Sequence, residues 1–324
     1  MRKVTLYPNR KDTLVLSVDN TTEANLRIDT HSGVGCLVNW RDGNTQILPS
    51  GSAVTHVYAT NFTDDVLVTP LGGYLDISRF ESTGATAWNF DLNVFVPLIG
   101  LTDFRLRNLP NANITGSLNS FSGNNGLTVF QLSTLPNAYI TGSINSFTGA
   151  TGLTYFRLSD LPNANITGSF NSFSGANGLT NFHLYFLPNA NITGDSSSFS
   201  NKTNLIEFWL YTSPTSNITM NYDDILNIWQ SSVYIIHRDS GISASKATTA
   251  SFNFSSLSYS ILYFQNIGLS TASMDNMIIA LDDSLIVQAS PKNIYLNGNA
   301  SHSGSPAVMT ALSGLASKNI TVVL

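Results

Sequence analysis

The residues best suited to binding recur every 26 positions along the chain. One column contains Arg105, Arg157, His183 and Trp209, with Gln131 filling the gap after Arg105. Aromatic rings on a rigid exposed face suit stacking against sugars or a hot spot of a protein interface. With the two neighbouring columns, the candidate binding residues are Arg105, Arg107, Tyr155, Arg157, His183, Tyr185, Trp209 and Tyr211. The alternative is that later repeats or residues 232–245 cover these aromatic side chains.

The sequence lacks the common catalytic patterns. It contains no P-loop, no dinucleotide-binding glycine pattern, no H-E-x-x-H and no G-x-S-x-G. Its five histidines have no ligand spacing. A glycosidase needs two carboxylates that face each other across a cleft, and the pairs Asp223-Asp224 and Asp282-Asp283 do not suggest that placement. We therefore predict no enzyme, no cofactor and no metal site.

The composition excludes several classes of protein. Charged residues make up 11% of the 324 residues, against roughly 25% in ordinary soluble domains, which excludes a coiled coil. Hydrophobic residues make up 42%, enough for a sizeable core, so the chain is not disordered. The net charge of −5 gives no reason to expect nucleic-acid binding. Cys36 is the single cysteine and is predicted to be a small buried side chain in a strand.

The candidate residues lie on a repeat that begins with a leucine every 26 residues from Leu101 to Leu179. Each repeat opens with the pattern L-x-x-F-x-L, and alternate residues of a strand point to opposite faces. Phe104 and Leu106 therefore point one way, while Arg105 points the other way. One such strand cannot bury its apolar face. Stacked parallel copies about 4.8 Å apart can.

The repeat organises residues 73–324. We expect a degenerate first repeat over 75–100, regular repeats over 101–204, and degenerate repeats with a closing cap over 205–324. Residues 1–72 lack the repeat and are predicted to form a separate module.

Both ends of the chain have their own predicted elements. Residues 274–283 and 307–317 have apolar side chains three and four apart and predict short helices. Strands are predicted near the C-terminal end at 261–264, 294–296 and 320–324. In residues 1–72, short apolar runs separated by turn residues predict a small β-sandwich. Its predicted strands are 4–7, 14–18, 25–28, 35–40, 56–58 and 65–68.

An asparagine precedes a core isoleucine in most repeats. We expect these side chains to point inward and to bond backbone groups of neighbouring turns as a structural ladder. Its members are Asn113, Asn165, Asn191 and Asn217. Tyr139 interrupts the ladder in the second regular repeat.

The pattern L-x-x-F-x-L-x-x-L-P-N-A-N-I-T-G-S-L resembles leucine-rich repeats, with phenylalanine at a position that is usually leucine. The resemblance covers about residues 75–324. It implies a parallel β solenoid whose short strands line a concave face, where partners of that family usually bind. The block from Lys292 to Leu324 resembles the closing repeat of such proteins in Bacteroidetes and their phages. A closing repeat covers the last layer of a solenoid core.

The first 72 residues resemble a different family. Trp40-Arg41-Asp42-Gly43 and His56-Val57-Tyr58 are similar to the W-G-D-G and H-x-Y signatures of PKD-like domains, although Arg41 stands where glycine is usual. The resemblance implies a β-sandwich with the tryptophan and tyrosine in its core. Such a module followed by leucine-rich repeats occurs in bacterial surface proteins and in phage tail or fibre proteins.

The expected architecture is mainly β with short helices: an N-terminal β-sandwich, then the capped solenoid. We expect a non-enzymatic virion protein, a phage tail-fibre or spike component that binds a host-surface glycan or protein through the concave strand face. Other virion proteins and a homo-oligomer are further expected partners, whereas nucleic acid and membrane are not. Since no apolar signal region follows the first residues, the expected location is the virion after synthesis in the host cytoplasm. The alternatives are an extracellular bacterial adhesin with a trimmed signal and a glycan-degrading fibre enzyme.

Overall fold

The computed structural model describes residues 13–73, 76–212, 217–219, 234–238, 242–243, 261–265, 269–284, 291–298 and 300–324. The chain divides into two compact units, Met1–Ile166 and Thr167–Leu324. Within the described ranges the protein is mainly β, with parallel sheets and two α-helices. The predicted boundary between residues 72 and 73 stays a prediction.

The first unit begins with an antiparallel sheet. Its strands are β1 (Leu14–Thr30), β2 (Cys36–Asn39), β3 (Thr45–Leu48) and β4 (Ala53–Pro70), in the order β1-β4-β2-β3. These four strands share one hydrogen-bonded sheet, where the sequence predicted the two layers of a sandwich. Predicted strand 4–7 falls outside the described residues.

Two of these strands are much longer than predicted. Strand β1 runs through the polar stretch around Asn20, where the sequence predicts a break between two strands. Asn20 adopts a φ of 51°, and the register against β4 shifts on either side of Thr21. Bulges of this kind let a strand continue through residues that otherwise signal a turn.

Parallel strands follow in the same unit. One set comprises β5 (Ile77–Thr83), β7 (Asp103–Arg107), β9 (Val129–Ser133) and β11 (Tyr155–Ser159). A second sheet contains β6 (Asn89–Asp91), β8 (Asn113–Ser117) and β10 (Tyr139–Ser143). The register places Phe104 beside Phe130 and Phe130 beside Phe156, a step of one repeat. Strand β5 also pairs antiparallel with β1, so the first sheet continues into the repeats.

Phenylalanine fills the core of these repeats. The rings of Phe80, Phe104, Phe130 and Phe156 stack in sequence, with centroids 5.6–5.9 Å apart. A second row from the 3-10 helices inserts edge-on between them, as Phe95 does against Phe104 at 4.8 Å. Offset and edge-to-face rings of this kind add stability beyond the area they bury.

In five repeats the second strand is followed by a single 3-10 turn, which the sequence pattern does not predict. In the first unit these turns are Leu92–Phe95, Leu118–Phe121 and Ile144–Phe147, and in the second unit they are Phe170–Phe173 and Ser196–Phe199. A serine or aspartate accepts the backbone N–H two residues later at the start of each turn, as Ser117 does from Asn119. This capping accounts for the serine or aspartate that ends the strand before each of these turns.

The second unit has the same alternation of strands. Its first sheet contains β13 (Asn181–Leu187), β15 (Glu207–Thr212), β17 (Tyr234–Arg238), β19 (Ile261–Gln265), β20 (Lys292–Tyr295) and β21 (Ile320–Val323). The second sheet contains β14 (Asn191–Asp195), β16 (Asn217–Thr219), β18 (Ile242–Ser243) and β12 (Asn165–Ser169), which starts at the end of the first unit.

Both predicted helices are present in the second unit. Helix α1 spans Thr271–Ser284 and helix α2 spans Pro306–Ser317. Helix α2 begins where Ser305 accepts the backbone N–H of Val308, and Pro306 occupies the first turn. Lys318 closes this region through an ion pair between its Nζ and Asp282 Oδ1 at 2.7 Å.

The predicted asparagine ladder is wrong. Asn113, Asn165 and Asn191 are exposed, and the side chain of Asn217 lies outside the described residues. The reason is the alternation of the strand: Ile114 is fully buried, so its neighbour Asn113 must point outward.

A different column of asparagines links neighbouring repeats. Asn137 Nδ2 donates to the backbone oxygen of Pro110 at 2.8 Å, and Asn163 Nδ2 donates to that of Pro136 at 2.9 Å. Asn111 Nδ2 likewise donates to Ala85 at 3.2 Å. The asparagine of the Leu-Pro-Asn motif therefore bonds a backbone oxygen of the preceding repeat, and it does so at the surface.

Candidate functional site

The predicted binding residues fall into two sets, one in each compact unit. Arg105, Arg107, Tyr155 and Arg157 lie on β7 and β11 of the first unit. His183, Tyr185, Trp209 and Tyr211 lie on β13 and β15 of the second. The apolar side chains of these strands occupy the core, so in each unit the described side chains among the eight lie on the opposite face of their strands. A single patch made of both sets stays a prediction.

In the second unit the aromatic residues form one cluster. The rings of His183 and Trp209 stack with centroids 5.0 Å apart, and Tyr185 lies 5.4 Å from Trp209. Phe186 extends the cluster at 5.7 Å from Tyr185. Parallel pairing places His183 directly beside Trp209 and Tyr185 beside Tyr211, because the repeat keeps the strands in register. The side chain of Tyr211 lies outside the described residues.

The prediction that the His183 ring faces solvent is wrong. His183 is only 3% exposed, because Trp209 stacks against its ring and Tyr185 lies 6.2 Å from it. Its Nε2 lies 2.8 Å from Glu207 Oε2, and Asn181 Nδ2 donates to the same oxygen at 2.7 Å. His183 therefore positions Trp209 and Glu207 and does not offer a contact surface.

Phe186 belongs to the site, although the sequence analysis missed it. Its side chain is 53% exposed, and its φ of 51° lies in the left-handed region. The equivalent positions in earlier repeats, Asn108, Thr134 and Asp160, have φ of 53–55°. A bulky side chain is strained in this conformation, whereas asparagine and aspartate tolerate it. The signal in the sequence was an aromatic residue in a column of polar ones.

Trp209 carries an unmatched donor. Its ring is half-buried, and among the described residues no acceptor binds its Nε1, which is shielded from solvent. Buried indole N–H groups usually have a partner. The cluster of Tyr185, Phe186 and Trp209 thus contains the exposed ring of Phe186 and the half-buried rings of Tyr185 on β13 and Trp209 on β15. The Nε1–H of Trp209 is a donor that an acceptor atom of a ligand could satisfy.

In the first unit the same strand face is ionic. Arg79 Nη2 donates to Glu81 Oε2 at 2.5 Å, and Arg79 Nη1 lies 3.1 Å from Asp103 Oδ2. Arg105 binds Asp103 through both Nε and Nη2, at 2.7 and 3.0 Å. Arg107 holds Glu81 Oε1 through Nε and Nη2, at 3.1 and 2.8 Å. Two carboxylates therefore lie among three guanidinium groups on adjacent strands.

Hydrogen bonds within this network favour the charged forms of two of its members. Burial alone would raise the pKa of Glu81, but hydrogen bonds from Arg79 and Arg107 outweigh it and place the pKa below its ordinary value. The hydrogen bond to Asp103 raises the pKa of Arg105 above its ordinary value. Glu81 and Arg105 are therefore both ionised at neutral pH.

The rest of this face is polar and tightly packed. Gln131 and Ser133 are buried, and Gln131 Nε2 donates to Ser133 Oγ at 2.8 Å. Arg157 Nε donates to the fully buried Ser159 Oγ at 2.9 Å. Tyr155 is half-buried beside them. Arg105, Gln131 and Arg157 follow one another in register on β7, β9 and β11.

In the described parts of the chain, no group of three or more His, Cys, Asp or Glu side chains could hold a metal ion. The prediction that the protein is not an enzyme stays a prediction. Cys36 is fully buried as predicted, and burial raises the pKa of its thiol to about 12. An open cavity of about 510 Å³ near β21 is lined by side chains such as Leu312, Val322 and Leu324, without a titratable group. Among the described helices, none has the length and apolarity to cross a membrane.

Comparison with known proteins yields no family. No protein-family model and no curated protein matches the chain. A solved structure that matches is a chain of the octameric complex of Latrophilin 3 (Lec, Olf), Unc5D (Ig, Ig2, TSP1) and FLRT2 (LRR). The match covers 78% of this chain and 85% of that one, with 11% identity and a TM-score of 0.36. This likeness is distant, and the strands and register of the chain itself define its fold.

Proposed function

We propose that this protein is a non-enzymatic recognition protein of the leucine-rich-repeat type, which binds a glycan or protein on a host surface through its strand face. The observation that carries the proposal is the aromatic cluster of Tyr185, Phe186 and Trp209 on β13 and the adjacent β15. Rigid aromatic side chains give large contact area at a small entropic cost, which is why they dominate binding hot spots.

The strain at Phe186 supports this proposal. Asn108 occupies the equivalent position of an earlier repeat at nearly the same φ. An asparagine at position 186 would therefore relieve the backbone strain that phenylalanine causes there. A bulky, exposed aromatic residue kept in the left-handed region costs stability without a packing gain in the core. Such strain concentrates at functional sites, where the surrounding structure holds it in place.

The setting that we propose is a phage tail-fibre or spike component, with a PKD-like N-terminal module and a solenoid of 26-residue repeats. The charge-poor composition, rich in Asn, Ser and Thr, and the stacked repeats favour it. Other virion proteins and further copies of the chain are its proposed structural partners. A bacterial surface adhesin is the second candidate, since the same aromatic cluster would serve it equally.

The test is binding of the purified protein to intact candidate host cells. We expect Phe186→Asn to fold, to resist urea better than wild type, and to lose about tenfold or more in cell binding, the loss that corresponds to about 1.4 kcal/mol. Trp209→Ala should weaken binding further, because it removes both an aromatic ring and the unmatched Nε1 donor.

Tyr139→Asn is the matched control. Tyr139 is 58% exposed on β10 of the other sheet, in a column where the neighbouring repeats have asparagine. The same loss of an exposed ring there should leave cell binding unchanged. Equal binding by wild type and Phe186→Asn, or an equal loss with Tyr139→Asn, would contradict the proposal.

A further inference from the structure

We propose that the strand face of the first unit binds an acidic saccharide, whose carboxylate or sulfate group is held by Arg105 and Arg107. This inference rests on the proposed recognition function, because it also places a ligand on the strand face. It concerns a different unit and different residues from the aromatic cluster, so the two can fail separately.

The local charge is the first observation. On β5 and β7 three arginines face two carboxylates, Glu81 and Asp103. Arg157 adds a further positive charge on β11, in register with Arg105 across β9. The whole chain has a net charge of −5, so this face opposes the overall balance. Local potential, more than net charge, determines which ligands approach a surface.

The arrangement of the donors is the second observation. Asp103 accepts hydrogen bonds from Nε and Nη2 of Arg105, and Glu81 accepts them from the same two atoms of Arg107. Among the described residues, neither Nη1 has an acceptor. The Arg105 and Arg107 side chains are 28% and 42% exposed, so their outer edges reach solvent.

Two such guanidinium groups suit a ligand oxyanion. Alternate residues of a strand lie about 6.6–6.8 Å apart on one face. Each group is held in place by a carboxylate, so little conformational entropy is lost when a ligand binds. A planar guanidinium donates two parallel bonds to a carboxylate or sulfate, which gives orientation as well as affinity.

The neighbouring side chains favour a saccharide over a protein. The outward positions of β7, β9 and β11 include one aliphatic residue, Val129, and one aromatic residue, Tyr155. The remainder are charged, amide or hydroxyl side chains. A protein hot spot needs several apolar anchors, whereas a sugar acid needs polar donors, acceptors and a single ring.

The test measures binding of the full chain to three polymers by calorimetry: polygalacturonate, dextran sulfate and neutral dextran. We expect wild type to bind one or both acidic polymers and not neutral dextran. The two acidic arms distinguish a carboxylate ligand from a sulfate ligand. Arg107→Gln and Arg105→Gln should each weaken binding about tenfold, as loss of a charge-assisted hydrogen bond implies.

Arg41→Gln is the matched control. Arg41 is exposed in the first unit and away from the network, so the substitution removes the same charge without touching the site. Arg107→Lys keeps the charge but loses the paired donors, and it should also weaken binding. Because Arg107→Lys keeps a cation beside Glu81, this variant tests the proposal if Arg107→Gln fails to fold.

Several outcomes would overturn the inference. They are no binding to either acidic polymer, an equal loss with Arg41→Gln, or equally tight binding of poly-glutamate, which would indicate an acidic protein. Phe186→Asn separates the two proposals: it should keep polymer binding while losing cell binding. If cell binding depends on Phe186 and the acidic polymers do not bind, the proposed function stands and the saccharide site fails.

Discussion

At the scale of single residues, a buried lysine, Lys202, is the feature that the composition suggests least. Lys202 is fully buried, and its Nζ donates to the backbone oxygen of Ser174 at 2.7 Å and to Asn177 Oδ1 at 3.3 Å. In two preceding repeats the same column contains Ala150 and Ala176. Neutral oxygens satisfy the donors of the ammonium group without a carboxylate, so desolvation is not offset and lowers the pKa of Lys202.

The first prediction concerns the pH dependence that follows from Lys202. The pKa of Lys202 is lower in the folded than in the unfolded chain. As the pH rises toward 10.5, the folded chain therefore loses the Lys202 proton first, and the unfolded chain binds more protons than the folded chain does. The free energy of unfolding of wild type should therefore increase with pH in that range relative to Lys202→Met. Urea titrations of both proteins at matched pH values measure the difference. A difference that stays constant with pH would contradict the prediction.

At the scale of elements, glycine decides how closely one repeat approaches the next. Gly142, the last residue but one of strand β10, has a φ of 98°. A Cβ atom there would contact the capping Ser117 Oγ of the preceding repeat and lie 2.9 Å from Leu118 N. The strand end and the 3-10 turn beside it therefore depend on one residue without a side chain.

We predict that Gly142→Ala destabilises the protein by more than about 2 kcal/mol, since it combines a left-handed strain with a clash against the cap. Gly152→Ala is the matched control, because its Cβ would meet only Thr128 Cγ2 at 4.0 Å. Urea denaturation of both variants gives the comparison. Similar midpoints for the two variants would show that the close approach is not limiting.

At the scale of the whole molecule, the register of the repeat is the organising feature. In the first unit, Phe104, Phe130 and Phe156 lie side by side in successive strands. The entry to each strand is also equivalent: Leu127 N donates to Asn124 O at 3.0 Å, and Leu153 N donates to Ala150 O at 3.1 Å. Successive repeats are therefore structurally equivalent, so one repeat could be removed and its two neighbours could pack against each other.

A deletion tests this exchange. Removal of residues 127–152 joins Gly126 to Leu153 and should bring Phe104 against Phe156 in the same geometry, giving a folded protein of lower stability. Removal of residues 127–151 shifts the following strand by one residue, which turns its buried side chains to the opposite face, and should prevent folding. Circular dichroism and urea unfolding distinguish the two variants. Equal behaviour of both deletions would contradict the dependence on register.

Much of the fold could be predicted from the sequence because it depends on local patterns. The alternation in L-x-x-F-x-L predicted which residues of β7 are buried, and helices α1 and α2 appeared where apolar residues recur three and four apart. The long strand β1 could not be predicted, because its pairing with β4 carries it through a polar stretch.

The sequence by itself determined which side chains face the core and which lie on the strand face, since a strand has only two faces. The tertiary structure decided which outward residues stay accessible. His183 became buried because large rings lie beside it, and Glu81 joined Arg107 from the preceding strand. Phe186 lies beside Tyr185 in a left-handed backbone conformation that no composition shows. These outcomes depend on neighbours 26 residues away, and a linear pattern gives no distance between side chains on adjacent strands.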